Sequence, residues 1–526
     1  MAQTHAAPQT ARPTIFARLT RRKSIEDLQA EHEKGELKRA LGALNLVFLG
    51  IGTIIGAGIF VLTGQAAAQY AGPGIMISFV ITGVLCALVA LCYAELASAI
   101  PVSGSAYSYS YASGGEFLAW IMGLLLLLEY GIAASTVAVS WGGYLISLLG
   151  DVGVHIPGAW TAGNGVPVTD AITGAPTGEM GVFNLPAVVA LLAVTTLLVV
   201  GVSESATVNN IVVLIKVTVV VAFITIGAGF VNFERWSPLI PPQIPPPPPG
   251  ADMSLWGQIT RALGYVFTGN NTVQYGVGGV ITGAAKVFFA YLGFEAVSTA
   301  GAESRNPKRD MPIGILGSLA ICTLLYILTA GVLVGVTPYA NLNNPAPIAA
   351  AVNQMGLPWF AVLVKLGALC GLSSVMLVLL YGQTRIFYTM ARDGLLPGVF
   401  ARIHPKLKTP WVNTVLVGVI AAAFAGVLGI SDLSNYTNVG TLAAFAIVCI
   451  TVLFLRATHP AMERPFRTPL FPLTPILGAL MCVMLLMSLM ADMKTRVFFA
   501  WYLGLGVPVY FIYGMWRSKL AAAKAG

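Results

Sequence analysis

Residues Gly50 to Phe60 read GIGTIIGAGIF, and the fold turns on what this stretch does. Four glycines, Gly50, Gly52, Gly56 and Gly58, interrupt sequence that is otherwise apolar enough for a membrane. Each weakens a helix by roughly 1 kcal/mol relative to alanine. Gly52 and Gly56, four apart, suit close helix packing in lipid. All four together exceed what a packing face requires, so an unwound segment competes with simple packing.

The membrane setting comes from the rest of the chain. Of 526 residues, 56% are hydrophobic and 10% charged, and mean hydropathy is +0.80. These values lie outside the soluble globular range. Apolar runs of roughly 18 to 25 residues recur, each able to cross about 30 Å of hydrocarbon as a helix. They predict an all-α polytopic protein with twelve spans, at 45–70, 76–100, 117–148, 183–202, 208–231, 284–303, 312–336, 358–391, 412–429, 435–455, 470–490 and 496–516. The short alternating strands of a β-barrel are not seen.

Lysine and arginine crowd one set of connections: the tail, Arg305 to Arg309, Arg392 to Lys408, Arg456 to Arg467, and the residues after Arg517. The other set carries Arg235, Arg261, Lys494 and Arg496. This asymmetry places both termini in the cytoplasm of a multi-pass protein in the cell inner (plasma) membrane. It also accounts for the net charge of +8 without a nucleic-acid partner.

The tail, 1–44, lacks an apolar signal-peptide core and reads as cytoplasmic, partly as an amphipathic surface helix. All six cysteines fall in or beside spans and all five histidines outside them, so disulfides, thiolate metal sites, haem and other cofactors are not expected. An enzyme or sensor would need a catalytic cluster or a signalling domain, and neither is visible. Residues 151–181 and 236–283 read as solvated loops, the second, with IPPPPPG, having room for a re-entrant or surface helix.

A second interruption matches the first. The sixth span reads FFAYLGFEAVSTAG from Phe288 to Gly301, with Gly293 and Glu295 in apolar sequence. Five spans separate the two, which puts them in corresponding places of two five-helix halves, a pattern that marks a transporter's central site. Unwound backbone at that depth survives only when buried in protein or lining a wet cavity.

GIGTIIGAGIFVLTG (50–64), YAELASAIPVSGSAYSYSY (93–111), FFAYLGFEAVSTAGAESRNPKRDMPIGI (288–315) and YGQTRIFYTMARDGLLP (381–397) together resemble the amino acid/polyamine/organocation superfamily. Within it they most resemble the cationic amino acid transporter family and its bacterial proton-coupled members. The resemblance implies a five-plus-five inverted repeat of the leucine-transporter type, with spans one and six unwound. The repeats are then 45–231 and 284–455, separated by an extracytoplasmic Pro-rich loop, 232–283, and followed by spans eleven and twelve, 456–516, and a cytoplasmic C-terminus, 517–526. It further implies an amino acid between spans one and six. The carboxylate accepts from N–H groups around Ala57 and Gly58, and the ammonium donates to carbonyls around Ile54, Phe289, Ala290 and Leu292. Phe289 resembles the aromatic that closes over the substrate. Ala57 stands where many relatives carry Thr, Ser or Gly.

Several charges lie inside spans. Lys216, about 12 Å from the end of span five, reads either as a snorkelling lysine or as a functional one. The resemblance favours function, since proton-coupled relatives place a lysine where sodium-coupled ones bind sodium. Glu129, mid-span, is expected to face the cationic end of a substrate or to join a proton-linked network. Glu295 is expected either to stabilise the unwound part of span six or to serve such a function. Glu95, Glu303, Arg385 and Asp393 read as solvated helix ends before inner-gate ion pairs, and Lys365 and Lys286 as snorkelling. Of Ser373, Ser374, Met376 and Tyr381 in span eight, Met376 is taken as a pocket residue, which would favour small side chains.

The implied activity is secondary active, proton-coupled and sodium-independent import of a small neutral or cationic L-amino acid by alternating access. Exchange of amino acids or polyamines without net proton movement is the alternative. The expected partners are the amino acid, the proton and the lipid bilayer, with room for a small single-span membrane protein.

Overall fold

The computed structural model describes residues 14–24, 40–102, 104–170, 175–201, 206–268 and 273–520. The surface helix expected in the tail falls largely at 25–39, outside the described residues. Among the described residues nine helices are long and apolar enough to cross a membrane, and three shorter apolar helices accompany them: Ala43–Ile54, Leu185–Val200 and Trp411–Val427. The chain is therefore a polytopic helical membrane protein.

The first apolar run shows why it is divided. Helix Ala43–Ile54 stops at Ile55, and winding resumes as a π-helical turn over Gly58–Leu62. From Gly58 to Ala99 the apolar sequence runs 42 residues, about 63 Å if straight, or twice the hydrocarbon thickness. It breaks at Gly72–Gly74, where Gly72 has φ 57°, a conformation that glycine adopts without strain. Ile75–Ala99 then forms the second span.

Helix Pro307–Val336 packs along both Ile75–Ala99 and Ala43–Ile54, and Pro358–Arg392 packs along Ala133–Asp151. Trp411–Val427 pairs with Leu185–Val200 in the same way. Helices from early and late in the chain thus interleave around one core. Burial locates its centre: 89% of the apolar window in Gly276–Gly301 is inside the protein, against 11% for Met493–Arg517 at the periphery.

Several expectations are corrected. The sixth span begins at Gly276 rather than 284, because GVGGVITGAA is helical despite its glycines. Within the proline-rich connection, read as a loop with room for a surface helix, such an amphipathic helix forms over Leu255–Thr268, with Gly257, Ala262 and Val266 turned inward. The connection at 151–181 contains an antiparallel hairpin, Pro167–Thr169 with Pro176–Met180. Ser105–Ser113 is a fully buried helix between spans two and three.

The charged residues differ most. Lys365 does not snorkel: it is fully buried and donates to the Ser147 carbonyl at 3.1 Å and to Asp151 Oδ2 at 2.5 Å. Lys286 instead donates to Asn435 Oδ1 at 2.7 Å. Glu95 is no solvated terminus. Arg456 donates to both its oxygens at 2.9 and 2.5 Å, and the Thr468 N–H donates at 2.7 Å. Asp393 accepts from Lys23 and Tyr107 at 2.7 and 2.8 Å, and its carbonyl from the Lys519 N–H at 3.0 Å. It therefore ties segments near both chain ends to one face of the bundle. Arg385 and Glu303, 3.8 Å apart and partly exposed, form a loose surface pair.

Removing one partner of a buried pair leaves the other charge uncompensated, at a cost of about 3 kcal/mol. Glu95→Ala, which strips both Arg456 and Arg464 of the carboxylate they share at 2.5 and 3.4 Å, is therefore expected to lower the thermal midpoint of the purified protein clearly. Breaking the exposed Lys308–Glu463 pair should barely move it.

Candidate functional site

A helix that ends in mid-membrane leaves its last carbonyls without intrahelical partners. At the end of Ala43–Ile54 two carbonyls are met by side chains from two other spans, and a side chain of the helix itself reaches the sixth span. Lys216 Nζ, from span five, donates to the Gly52 carbonyl at 2.7 Å. Tyr326 Oη, from Pro307–Val336, donates to the Ile54 carbonyl at 2.7 Å. Thr53 Oγ1 donates to the Gly293 carbonyl at 2.8 Å and so joins the first break to the sixth span.

The sixth span breaks in the matching way. Gly276–Val287 passes into a 3-10 turn, Phe288–Tyr291, then through Leu292 to Phe294 into a 3-10 helix, Glu295–Glu303. Gly293, with φ 115°, sits in the left-handed region that a side chain would strain. Its N–H donates to Oε1 and Oε2 of Glu295 at 3.1 and 2.9 Å. Glu295 thus stabilises the unwound segment.

The two breaks touch. A Cβ on Gly58 would stand 2.2 Å from Ala290 Cα, so glycine is required for the approach, whereas one on Gly56 would meet Val375 of span eight at 3.4 Å. Ile54, Ala57, Gly58, Phe289, Ala290 and Leu292 are all buried around this contact. Met376, next to Val375, is buried at the same level of span eight, as is Ser374. Ser373 accepts from Trp141 Nε1 at 3.0 Å, while Tyr381 is exposed. One turn beyond Gly58, Val61 and Gln65 line a cavity of about 380 Å³ that extends past Ser140 and Asn343 to the hairpin.

Lys216 is fully buried, and its stem runs across Gly371 of span eight to reach Gly52. It does not snorkel but braces the first break from behind. Glu129 lies in a π-helical turn, Leu128–Ile132, and its carboxyl faces that of Glu295 rather than the backbone of the breaks. Thr53 and Tyr326 were not expected as parts of the site. Neither residue type is unusual in an apolar helix, and only their long-range partners reveal them.

Two facing interruptions, paired to one another across a closed core, define the chain as a membrane transporter built around discontinuous helices. The chain belongs to the amino acid permease family, whose model matches residues 41–512. Its members are permeases, not enzymes. The chain is 43% identical to the methylthioribose transporter of Bacillus subtilis, over 95% of this chain and 99% of that one. It is 41% identical to the branched-chain amino acid permease BcaP of Bacillus subtilis, over 95% and 98%. The vacuolar cationic amino acid transporter 4 of Arabidopsis thaliana is 37% identical, over 84% of this chain and 68% of its own length.

Overpacking a closed contact costs about 1 to 3 kcal/mol. Gly58→Ala is accordingly expected to reduce uptake by about tenfold or more. Gly56→Ala, whose added methyl meets only Val375 at ordinary distance, should leave uptake and the thermal midpoint close to wild type.

Proposed function

We propose that the chain is a proton-coupled, sodium-independent permease that imports a small neutral or cationic L-amino acid by alternating access. The proposed frame has twelve spans, the first ten in a five-plus-five inverted repeat, and both termini on the cytoplasmic side of the cell membrane. The carboxylate binds at the N–H groups of Ala57 and Gly58, where the second half of span one begins. The ammonium binds at carbonyls around Ile54, Phe289, Ala290 and Leu292.

One observation carries the coupling: the Lys216 ammonium hydrogen-bonded to the Gly52 carbonyl, two residues before the helix ends. A proton on that amine supplies both the donor and the charge, so its loss changes the energy of the break that holds the substrate. Protonation and substrate binding are then linked in both directions.

Side-chain size is read from span eight and the sixth break. Val375 stands beside Gly56 and Ala290 beside Gly58, with their chain neighbours Met376 and Phe289 also buried, which favours small neutral side chains over arginine. The branched-chain permease among the relatives fits this better than the cationic transporters do. Methylthioribose, the cargo in another relative's name, has neither carboxylate nor ammonium to meet the paired backbone groups. It belongs in the competition panel for that reason.

Purified protein in liposomes, given labelled alanine, tests the reading directly. An inward proton gradient should drive accumulation and a sodium gradient should not; leucine should compete better than arginine, lysine or methylthioribose. Sodium-driven, pH-insensitive uptake would overturn the coupling, and saturation by arginine but not alanine would overturn the substrate preference. Lys216→Ala should abolish gradient-driven accumulation. Intact uptake with an unchanged pH profile would remove Lys216 from the mechanism.

A further inference from the structure

Glu129 and Glu295 come from spans three and six, and each is at most 2% exposed. Glu295 already has a partner, the Gly293 N–H that it receives on both oxygens. Glu129 does not: neither of its oxygens receives a donor, and the group it faces is the Glu295 carboxyl. The Tyr93 hydroxyl of span two, fully buried and also without a hydrogen-bond partner, lies within electrostatic reach of both acids. Among the described residues the other titratable groups around the pair are Tyr130 on span three and Cys86 on span two, with Tyr109 behind Tyr93. None of them is basic.

We propose that Glu129 and Glu295 share a single proton and form a second protonation centre, separate from Lys216, that couples proton movement to the break in span six. The proposal rests on the transport reading above and extends it from one protonatable site to two.

The argument is one of charge and donors. Two adjacent carboxylates without a cation cannot both stay ionised in a low-dielectric core. One proton between them converts the contact into an O–H···O bond and gives Glu129 the hydrogen bond that it otherwise lacks. Glu295 then remains the ionised partner that receives the Gly293 N–H. A second proton would neutralise Glu295 and weaken it as an acceptor, loosening Gly293.

Gly293 is where that change is transmitted. Its left-handed backbone is held on one side by Glu295 and on the other by Thr53, whose hydroxyl donates to its carbonyl. Proton occupancy of the pair therefore sets how firmly span six is held at its break and how firmly that break is tied to span one. Lys216 acts on span one at the neighbouring residue, Gly52. The two centres grip the two breaks separately.

Infrared spectroscopy of the purified full-length protein tests the pair without any substrate. Wild type at neutral pH should show a protonated-carboxyl C=O band that shifts in D2O. Glu129→Gln and Glu295→Gln, each first checked for a cooperative thermal transition, should each lose it, because the amide supplies the hydrogen to a carboxylate that then ionises. A wild type without the band overturns the proposal, as does a band undiminished in both variants; either folded variant alone decides the assignment. Proton uptake on adding alanine, read with a pH dye in weakly buffered detergent, should fall in Glu295→Gln, and uptake equal to wild type would overturn the coupling. Failure of the transport reading is seen separately, as absence of any amino-acid-induced thermal stabilisation of wild type, and leaves the infrared result standing.

Discussion

The structure depends on satisfying backbone that has left its helix inside a membrane. Each unpaired N–H or carbonyl in such a place costs several kcal/mol, so an interruption persists only if the rest of the protein supplies partners. Here the supply is specific. Lys216 takes the Gly52 carbonyl, Tyr326 the Ile54 carbonyl, Thr53 the Gly293 carbonyl, and Glu295 the Gly293 N–H. Spans five, six and seven are thereby fixed to span one by the same bonds that allow it to unwind, and the interleaved bundle is arranged around that point.

The same constraint links stability to transport. Bonds that depend on a lysine, a threonine and a glutamate can change with protonation or with rotation of a span, whereas intrahelical bonds cannot without unfolding. The close approach of Gly58 to Ala290 leaves little free space between the breaks in this conformation, while the cavity beginning at Val61 reaches the hairpin. For a proposed amino acid site, this arrangement is near-closed, with backbone groups pre-positioned and a polar approach through Gln65, Ser140 and Asn343. Away from the breaks, buried ion pairs join Glu95 with Arg456, Lys365 with Asp151 and Asp393 with Lys23. They hold the ends of the bundle rather than its centre.

Much of this was legible in the chain because membrane burial makes exceptions visible. Four glycines in an apolar run and a glutamate beside a glycine five spans later stand out against lipid-compatible sequence, and both breaks lie where those residues lie. Lys216 was visible for the same reason. What failed was anything decided by a partner distant in sequence. Lys365 looked like a snorkelling lysine because nothing near it announces Asp151, 214 positions away. Glu95 looked like a solvated end because Arg456 lies far along the chain. Ser105–Ser113 has alternating tyrosines with no apolar helical stripe, and only burial on every side explains its helix. Thr53 and Tyr326 carry ordinary side chains whose role exists only in three dimensions.

The central claim is that the two breaks together form the amino acid site, and hydrogen–deuterium exchange of the purified transporter addresses it most directly. Adding substrate should slow exchange at residues 54–58 and 288–294 together, since the ligand's carboxylate and ammonium would engage backbone in both segments. Protection confined to the cavity around Gln65, Gln69 and Asn343, with both breaks unchanged, would contradict the account.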